Sequence, residues 1–418
     1  MTHTFSPPDD ATRQESALLA TEGIEPTPRP PAFSPAPFWE GLRATGSELW
    51  LDTGDMSAAQ ELWNPSFSAF TVNNTLLNAE VQKGTYDELM CTAHRRLSGL
   101  ERRARITEIA FILNARHGLR LVERFGARVS VELHTSVAHD IAGTLHYAQR
   151  LHALRPDRFY IKVPLTPAGL IATRRLEEQG IPVNLTLGFS ARQNYIATVF
   201  AKPTFVNVFL GRLNAFIAAA KLGSGDLVGE RTTVASWKAV ARARTDSGAS
   251  TRQIAASLRN PAQVAALAGI EVQTMPVKVA RAAAQELDGR WESCLDTDYT
   301  VELAVDTRPA TVRIEKLWDL SRQTREFARS IAGDAPSSPR RLMERAHEAG
   351  VPDLFPSFSS GERQTIRNEG KIPVHATWAD RIEQEEVAID SLLNAAGLGA
   401  FEADQQALDR RIESLTGE

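Results

Sequence analysis

The sequence predicts an α/β fold: a closed (β/α)8 TIM barrel with an N-terminal leader and a helical C-terminal extension. Three observations lead there. From about residue 47 to 290, eight short apolar runs alternate with longer stretches in which apolar residues recur at three-to-four spacing. That many strand–helix units in one domain-sized span favour a closed parallel barrel over an open doubly wound sheet. No GxGxxG or P-loop motif opens any of the helices, which weakens a nucleotide-binding reading.

Residues 1–40 form the leader. It contains Ile24-Glu25-Pro26-Thr27-Pro28-Arg29-Pro30-Pro31, and proline donates no ladder hydrogen bond, so an extended, flexible segment peripheral to chemistry is expected. The barrel is assigned to 41–290. Its strands are expected at Glu48 to Thr53, Phe70 to Asn73, Arg128 to Leu133, Phe159 to Leu165, Pro182 to Phe189, Phe205 to Gly211, Arg252 to Leu258 and Glu271 to Pro276. His139 to Ala153 and Pro167 to Gln179 are among the amphipathic stretches between them. Residues 291–418 read as a charged, helical extension packing on the barrel. Its last helix places Phe401, Leu408, Ile412 and Leu415 on one face, with Glu402, Asp404, Asp409, Arg410 and Arg411 around the rest. A surface element without a catalytic role is expected there.

A chain of 418 residues with 43% hydrophobic content can bury one large core or two modest ones. The formal charge of -4 gives no electrostatic reason to bind nucleic acid or an anionic membrane. Cys91 and Cys294 lie far apart, outside any CxxC spacing, so neither a disulfide framework nor a metal site is suggested. The N-terminus lacks a basic segment followed by an apolar one, and no apolar stretch is long enough to span a bilayer. A soluble, cytoplasmic protein is expected. A homodimer is compatible with the chain without being specified by it.

Lys162, within Phe159-Tyr160-Ile161-Lys162-Val163-Pro164, is the most informative residue. An ammonium inside a β-branched and aromatic run must be solvated, paired or used, and a lysine snorkelling from the strand end competes with a nucleophilic one. Desolvation favours the neutral amine, which can attack a carbonyl to form a Schiff base. Chemistry in such barrels collects at the C-terminal ends of the strands. There the sequence offers Asp52, Asn73, Glu132, Lys162, Asn184, Thr186, Asn207, Arg212, Ser257 and Arg259. One amine, two carboxylates, several amides and two guanidiniums converging on one mouth suit a Schiff-base aldol site with a phosphate clamp. Each has a structural rival: Asp52 as a cap for a helix from Met56, Glu132 as a solvated strand end, Asn73 as a turn residue, Arg212 as a salt-bridge partner.

These residues sit in segments that resemble the transaldolase family, in order, from about 47 to 290. The segments are Leu51-Asp52-Thr53-Gly54-Asp55, Thr71 to Leu76, Val129-Ser130-Val131-Glu132, Ile161-Lys162-Val163-Pro164, Asn184-Leu185-Thr186-Leu187, Phe209-Leu210-Gly211-Arg212 and Ala256-Ser257-Leu258-Arg259-Asn260. Phe401 to Leu408 resembles the family's closing helix. The resemblance implies a cofactor-free enzyme of the pentose phosphate type, acting on phosphorylated sugars. It implies Lys162 as the Schiff-base lysine, Asp52 as the acid/base at the C4 hydroxyl, and Glu132 with Thr186 as the pair that holds a water. Asn73 and Asn184 would hold the dihydroxyacetone unit, while Arg212, Ser257 and Arg259 would clamp phosphate. Glu132 and Phe209 match transaldolases rather than the related fructose 6-phosphate aldolases, which typically carry glutamine and tyrosine there.

Four positions depart from the family pattern. Asn74 replaces a usual proline and is expected to add an amide at the mouth, and Asn207 replaces a serine that would contact substrate. Gly188 replaces a leucine and is expected to widen the pocket, while Asn214, in place of an acidic residue, is expected to alter the field near Arg212. Asn74, Asn207 and Gly188 motivate a second reading, a specialised enzyme building an unusual sugar. A third is a barrel that has lost turnover and serves as a binding or scaffold protein.

Overall fold

The computed structural model describes residues 6–27 and 30–417. Of the expected leader, Met1 to Phe5 and Pro28-Arg29 lie outside the described residues. Eight parallel strands close into a barrel in sequence order: β1 (Glu48–Asp52), β2 (Phe67–Thr71), β3 (Arg128–Glu132), β4 (Phe159–Pro164), β5 (Val183–Thr186), β6 (Phe205–Phe209), β7 (Arg252–Ala256) and β8 (Val272–Pro276). Every expected run overlaps a strand, although β2 starts at Phe67 and shares only Phe70 and Thr71 with its run. Several strands end earlier than expected because the residues beyond them already serve the next helix. Asn73 caps the helix Asn74–Gln82, and Gly211 belongs to Leu210–Ala219.

Side chains on a strand alternate with period two, and this alternation builds the barrel interior in layers. Trp50, Tyr160 and Phe205, from three non-adjacent strands, meet on the axis. Trp50 stacks on Tyr160 with centroids 5.6 Å apart, and Phe205 lies edge-on to both at 4.8 and 4.9 Å. This aromatic plug closes the barrel from below; Trp50 and Phe205 are buried and Tyr160 partly so, and fully burying such a ring contributes on the order of 1.5–3 kcal/mol. Two residues further along the same strands stand Asp52, Lys162 and Asn207. The polar layer therefore rests on an apolar floor.

The leader differs from expectation. Asp10–Thr21 is a helix, capped by Asp9, whose carboxylate accepts from the Thr12 N–H at 2.8 Å. Ser16, Leu19 and Ala20 are fully buried, and the Ser16 hydroxyl donates to Glu108 on the long helix Arg102–Phe125 at 2.7 Å. The proline-rich composition downstream concealed this short stripe.

The extension is helical and packs on the barrel, as expected. Its last helix, Ile389–Thr416, lies across the barrel mouth. Asn394 Nδ2 donates to the carbonyls of Leu165 and Leu187, just beyond β4 and β5, at 3.0 and 2.8 Å. Phe401, Leu408 and Ile412 are buried as the periodicity predicts. The helix start is held by a buried ion cluster in which Arg192 bridges Asp390 (2.7 Å) and Asp353 (3.0 Å). Removing one partner from such a cluster costs about 3–5 kcal/mol, since it strands a buried charge. Among the described residues no helix is long and apolar enough to cross a membrane.

Candidate active site

Parallel pairing sets Glu132 beside Lys162 and Lys162 beside Asn184, so the three side chains share the inner face at one level. Lys162 is 4% exposed. Its Nζ lies 3.6 Å from Glu132 Oε2 and donates weakly to the Val72 carbonyl at 3.4 Å. Burial pushes the Glu132 carboxyl above the ordinary carboxylate range, against the opposing pull of the Lys162 ammonium and the Asn74 backbone N–H. Glu132 Oε2 and the Thr186 hydroxyl are buried without a hydrogen-bond partner among the described residues. Glu132 is thus the buried partner of an amine rather than a solvated strand end.

Asp52 accepts from the Thr71 hydroxyl at 2.7 Å, and that hydroxyl also meets Thr274 at 2.7 Å. The helix Met56–Gln60 is capped by Asp55, which accepts from Ser57 and Ala58, so Asp52 is free of the capping role. Asp52 is partly open to the mouth cavity, yet the surrounding protein raises its pKa, with Lys162, Thr71, Arg259 and Arg212 opposing the rise.

Guanidiniums gather on the other side of the mouth. Arg212 is buried, over the Phe209 ring at 5.1 Å and the Phe401 ring at 5.8 Å. Burial and the neighbouring Arg259 lower its pKa to about 10, so it stays cationic at neutral pH. Its Nε and Nη1 have no hydrogen-bond partner among the described residues. Ser257 adopts a left-handed backbone with φ 65°. A Cβ on Gly211 would stand 2.2 Å from the Ser257 carbonyl, so only glycine lets the start of the helix Leu210–Ala219 close on the turn at Ser257.

A cavity of about 250 Å³ is lined by Asp52, Asn73, Lys162, Asn184, Thr186 and Asn207, and by Phe209, Arg212, Ser257 and Arg259. Glu132 stands behind Lys162 rather than in the wall. Asn73 accepts from Leu76 N–H at 2.9 Å, which makes it both a helix cap and a wall residue. Lys371 and Phe401 also line the cavity, from the extension. Reading along the strands missed both, and only the likeness of Phe401 to Leu408 to a closing helix carried a signal. Phe401, centred 5.7 Å from Lys162 Nζ, brings the last helix into the cavity wall, where a surface element was expected.

Three of the four departures, Asn74, Gly188 and Asn214, behave differently from expectation. Asn74 is fully buried, with its amide on the Leu133 carbonyl at 3.4 Å, and adds nothing to the mouth. Gly188 does not widen the pocket: a Cβ there would stand 2.2 Å from the Asn207 carbonyl, so the glycine lets the loop after β5 pack on β6. Asn207 does line the cavity. Its amide donates to Asn184 and to the Leu185 carbonyl, both at 3.2 Å, and accepts from Gly188 N–H at 3.1 Å. Asn184 in turn donates to Ser130 at 3.0 Å. Asn214 holds Glu230 and the Gly229 N–H, anchoring the next helix instead of facing Arg212.

Residues 49–320 match the family model described as Transaldolase/Fructose-6-phosphate aldolase. A transaldolase from Xanthomonas euvesicatoria pv. vesicatoria is 30% identical over 239 residues, 55% of this chain and 72% of the relative. One from Xanthomonas campestris pv. campestris is 31% identical over 239 residues, with the same coverage. One from Schizosaccharomyces pombe is 30% identical over 245 residues, 56% of this chain and 74% of the relative. With the closed barrel and the ordered mouth residues, these matches establish that the chain belongs to the transaldolase/fructose-6-phosphate aldolase family, a family of enzymes whose relatives here are transferases.

Proposed function

We propose that the protein transfers a dihydroxyacetone unit from a ketose phosphate, fructose 6-phosphate or sedoheptulose 7-phosphate, to an aldose phosphate through a Schiff base on Lys162. The observation that carries the reading is the buried Lys162–Glu132 pair, 3.6 Å apart, with Lys162 in the wall of a cavity that also holds Asp52, and Glu132 behind it. The Lys162 amine attacks C2 of the ketose. The resulting carbinolamine loses water to form the imine, with Glu132 and Thr186, whose free polar atoms suit holding a water, relaying the protons. Asp52 takes the C4 hydroxyl proton as the C3–C4 bond breaks. The bonding electrons pass to the imine, leaving an enamine, and the aldose phosphate departs. Attack of the enamine on an acceptor aldehyde reverses these steps: Asp52 returns its proton to the new hydroxyl, and water releases the product from Lys162.

Asn73 and Asn184 hold the three-carbon unit, and Arg212, Ser257 and Arg259 take the phosphate. Phe209 brings no hydroxyl to protonate the enamine, which favours transfer over release. The specialised-sugar reading now rests on Asn207 alone, since Asn74 and Gly188 do not reach the cavity. A coupled assay over a panel of ketose and aldose phosphates tests these assignments. Turnover of fructose 6-phosphate with erythrose 4-phosphate is expected. Turnover only with other aldehydes would favour the specialised enzyme, and none with any sugar would favour a binding role.

A further inference from the structure

Lys371 belongs to the extension, outside the residues matched by the family model, yet it lines the same cavity as Lys162 and Arg259. It occupies a braced turn between the helices Ser360–Glu369 and His375–Glu383. Glu369 ties that turn together: its carboxylate accepts from Trp378 Nε1 at 2.9 Å, from the Thr377 hydroxyl at 2.8 Å and from the Val374 N–H at 3.2 Å. Trp378 is itself buried. Gly370 makes the bend with φ 76° and ψ −145°, a conformation that costs residues with a Cβ far more than glycine. The lysine is therefore delivered to the mouth by a rigid, specific turn.

Among the described residues neither the Lys371 ammonium nor the Arg259 guanidinium has an ion-pair partner, and two nitrogens of Arg212 lack hydrogen-bond acceptors. Arg212, Arg259 and Lys371 stand around one small cavity whose wall also holds Lys162, against the single carboxylate of Asp52, and a dianion answers the remaining positive field better than a single charge. We propose that Lys371 is a third cationic ligand for the phosphate end of the substrate, supplied by the C-terminal extension. The inference rests on the transaldolase reading of the site. It gives the extension a role in substrate selection: the phosphate pocket is complete only when this turn is docked.

Inorganic phosphate, as a competitive inhibitor of the full-length enzyme with fructose 6-phosphate as donor, tests it. Lys371→Met is expected to raise the phosphate inhibition constant about tenfold, and Lys371→Arg, which keeps the charge, to restore most of the affinity. Gly370→Ala keeps Lys371 but strains the turn, and is expected to weaken phosphate in the same direction. The Lys371→Met effect should shrink as ionic strength rises, since the lysine is exposed. An unchanged phosphate constant in Lys371→Met, with Arg259→Ala weakened, would overturn the role of Lys371 and leave the phosphate clamp standing. Equal weakening of phosphate and of uncharged dihydroxyacetone would also overturn it, by showing a distorted mouth instead of a lost charge. Absence of phosphate inhibition in the wild type would overturn the phosphate site itself.

Discussion

Gly397 of the closing helix lies against Arg212 so tightly that a Cβ at position 397 would stand 2.9 Å from Nη1 and 2.8 Å from Leu187 Cδ2. The missing side chain lets the helix seat directly on the mouth, which in turn places Phe401 over Lys162. Gly397→Val should therefore lift the helix or displace the guanidinium, costing about 1–3 kcal/mol in stability by overpacking. A several-fold rise in KM for phosphorylated donors should accompany the lower Tm. A variant with wild-type Tm and KM would show that the helix is not held this close in solution.

Lys162 should carry the covalent intermediate. Borohydride reduction in the presence of fructose 6-phosphate is expected to leave a three-carbon adduct on the peptide containing Lys162, read by mass spectrometry. Lys162→Ala should abolish it, and Lys162→Arg should not rescue, because a permanently charged guanidinium is no nucleophile. An adduct on Lys202 or Lys278 would sink the assignment.

The two carboxylates should separate kinetically. Asp52→Asn is expected to trap the Schiff base but lose cleavage, whereas Glu132→Gln should slow formation of the adduct and shift the pH profile. Stability gives an independent check on Asp52. Burial raises its folded pKa above the ordinary aspartate value, so the native state holds its proton more tightly than the unfolded state and loses stability as pH rises through that window. Asp52→Asn escapes this loss. The variant should be more stable than wild type near neutral pH, with the gain fading as pH falls toward 4, and a gain independent of pH would contradict the assignment.

Arg259 decides whether the phosphate is read. Charge-assisted hydrogen bonds contribute about 1.5–3 kcal/mol, so Arg259→Ala should lower kcat/KM for phosphorylated donors roughly ten- to a hundredfold. The loss on unphosphorylated fructose should be much smaller. An equal loss on both donors would mean that the arginine supports the fold.

Phosphate should also stabilise the resting protein, because Arg212 is buried with its pKa lowered to about 10 beside another guanidinium. At a hundred times its dissociation constant, phosphate should add about 2.7 kcal/mol to stability, visible as a rise in Tm. No rise at saturating phosphate would place the anion site elsewhere.

Most of the barrel and most of its mouth were legible along the chain, for a local reason. Period-two alternation carries Trp50 to Asp52, Tyr160 to Lys162 and Phe205 to Asn207, so once the strands are recognised the layer that faces the cavity follows. Helix caps sharpened this reading only in three dimensions: Asp55, not Asp52, caps the helix after β1. Residue identity alone misjudged Asn74 and Gly188. An amide and a missing side chain looked like changes to the pocket, but their neighbours bury both behind its wall.

The sequence by itself determined the parallel barrel, the set of strand-end side chains offered to chemistry and the amphipathic character of the last helix, because each is written in spacings of a few residues. Tertiary structure alone decided that the leader helix docks on Arg102–Phe125, that the last helix crosses the mouth, and that Lys371 and Phe401 share a cavity with Lys162. These contacts join segments some 90 to 240 positions apart. They depend on shape and on buried charge pairs such as Arg192 with Asp390, which leave no periodic trace in the residues they bring together.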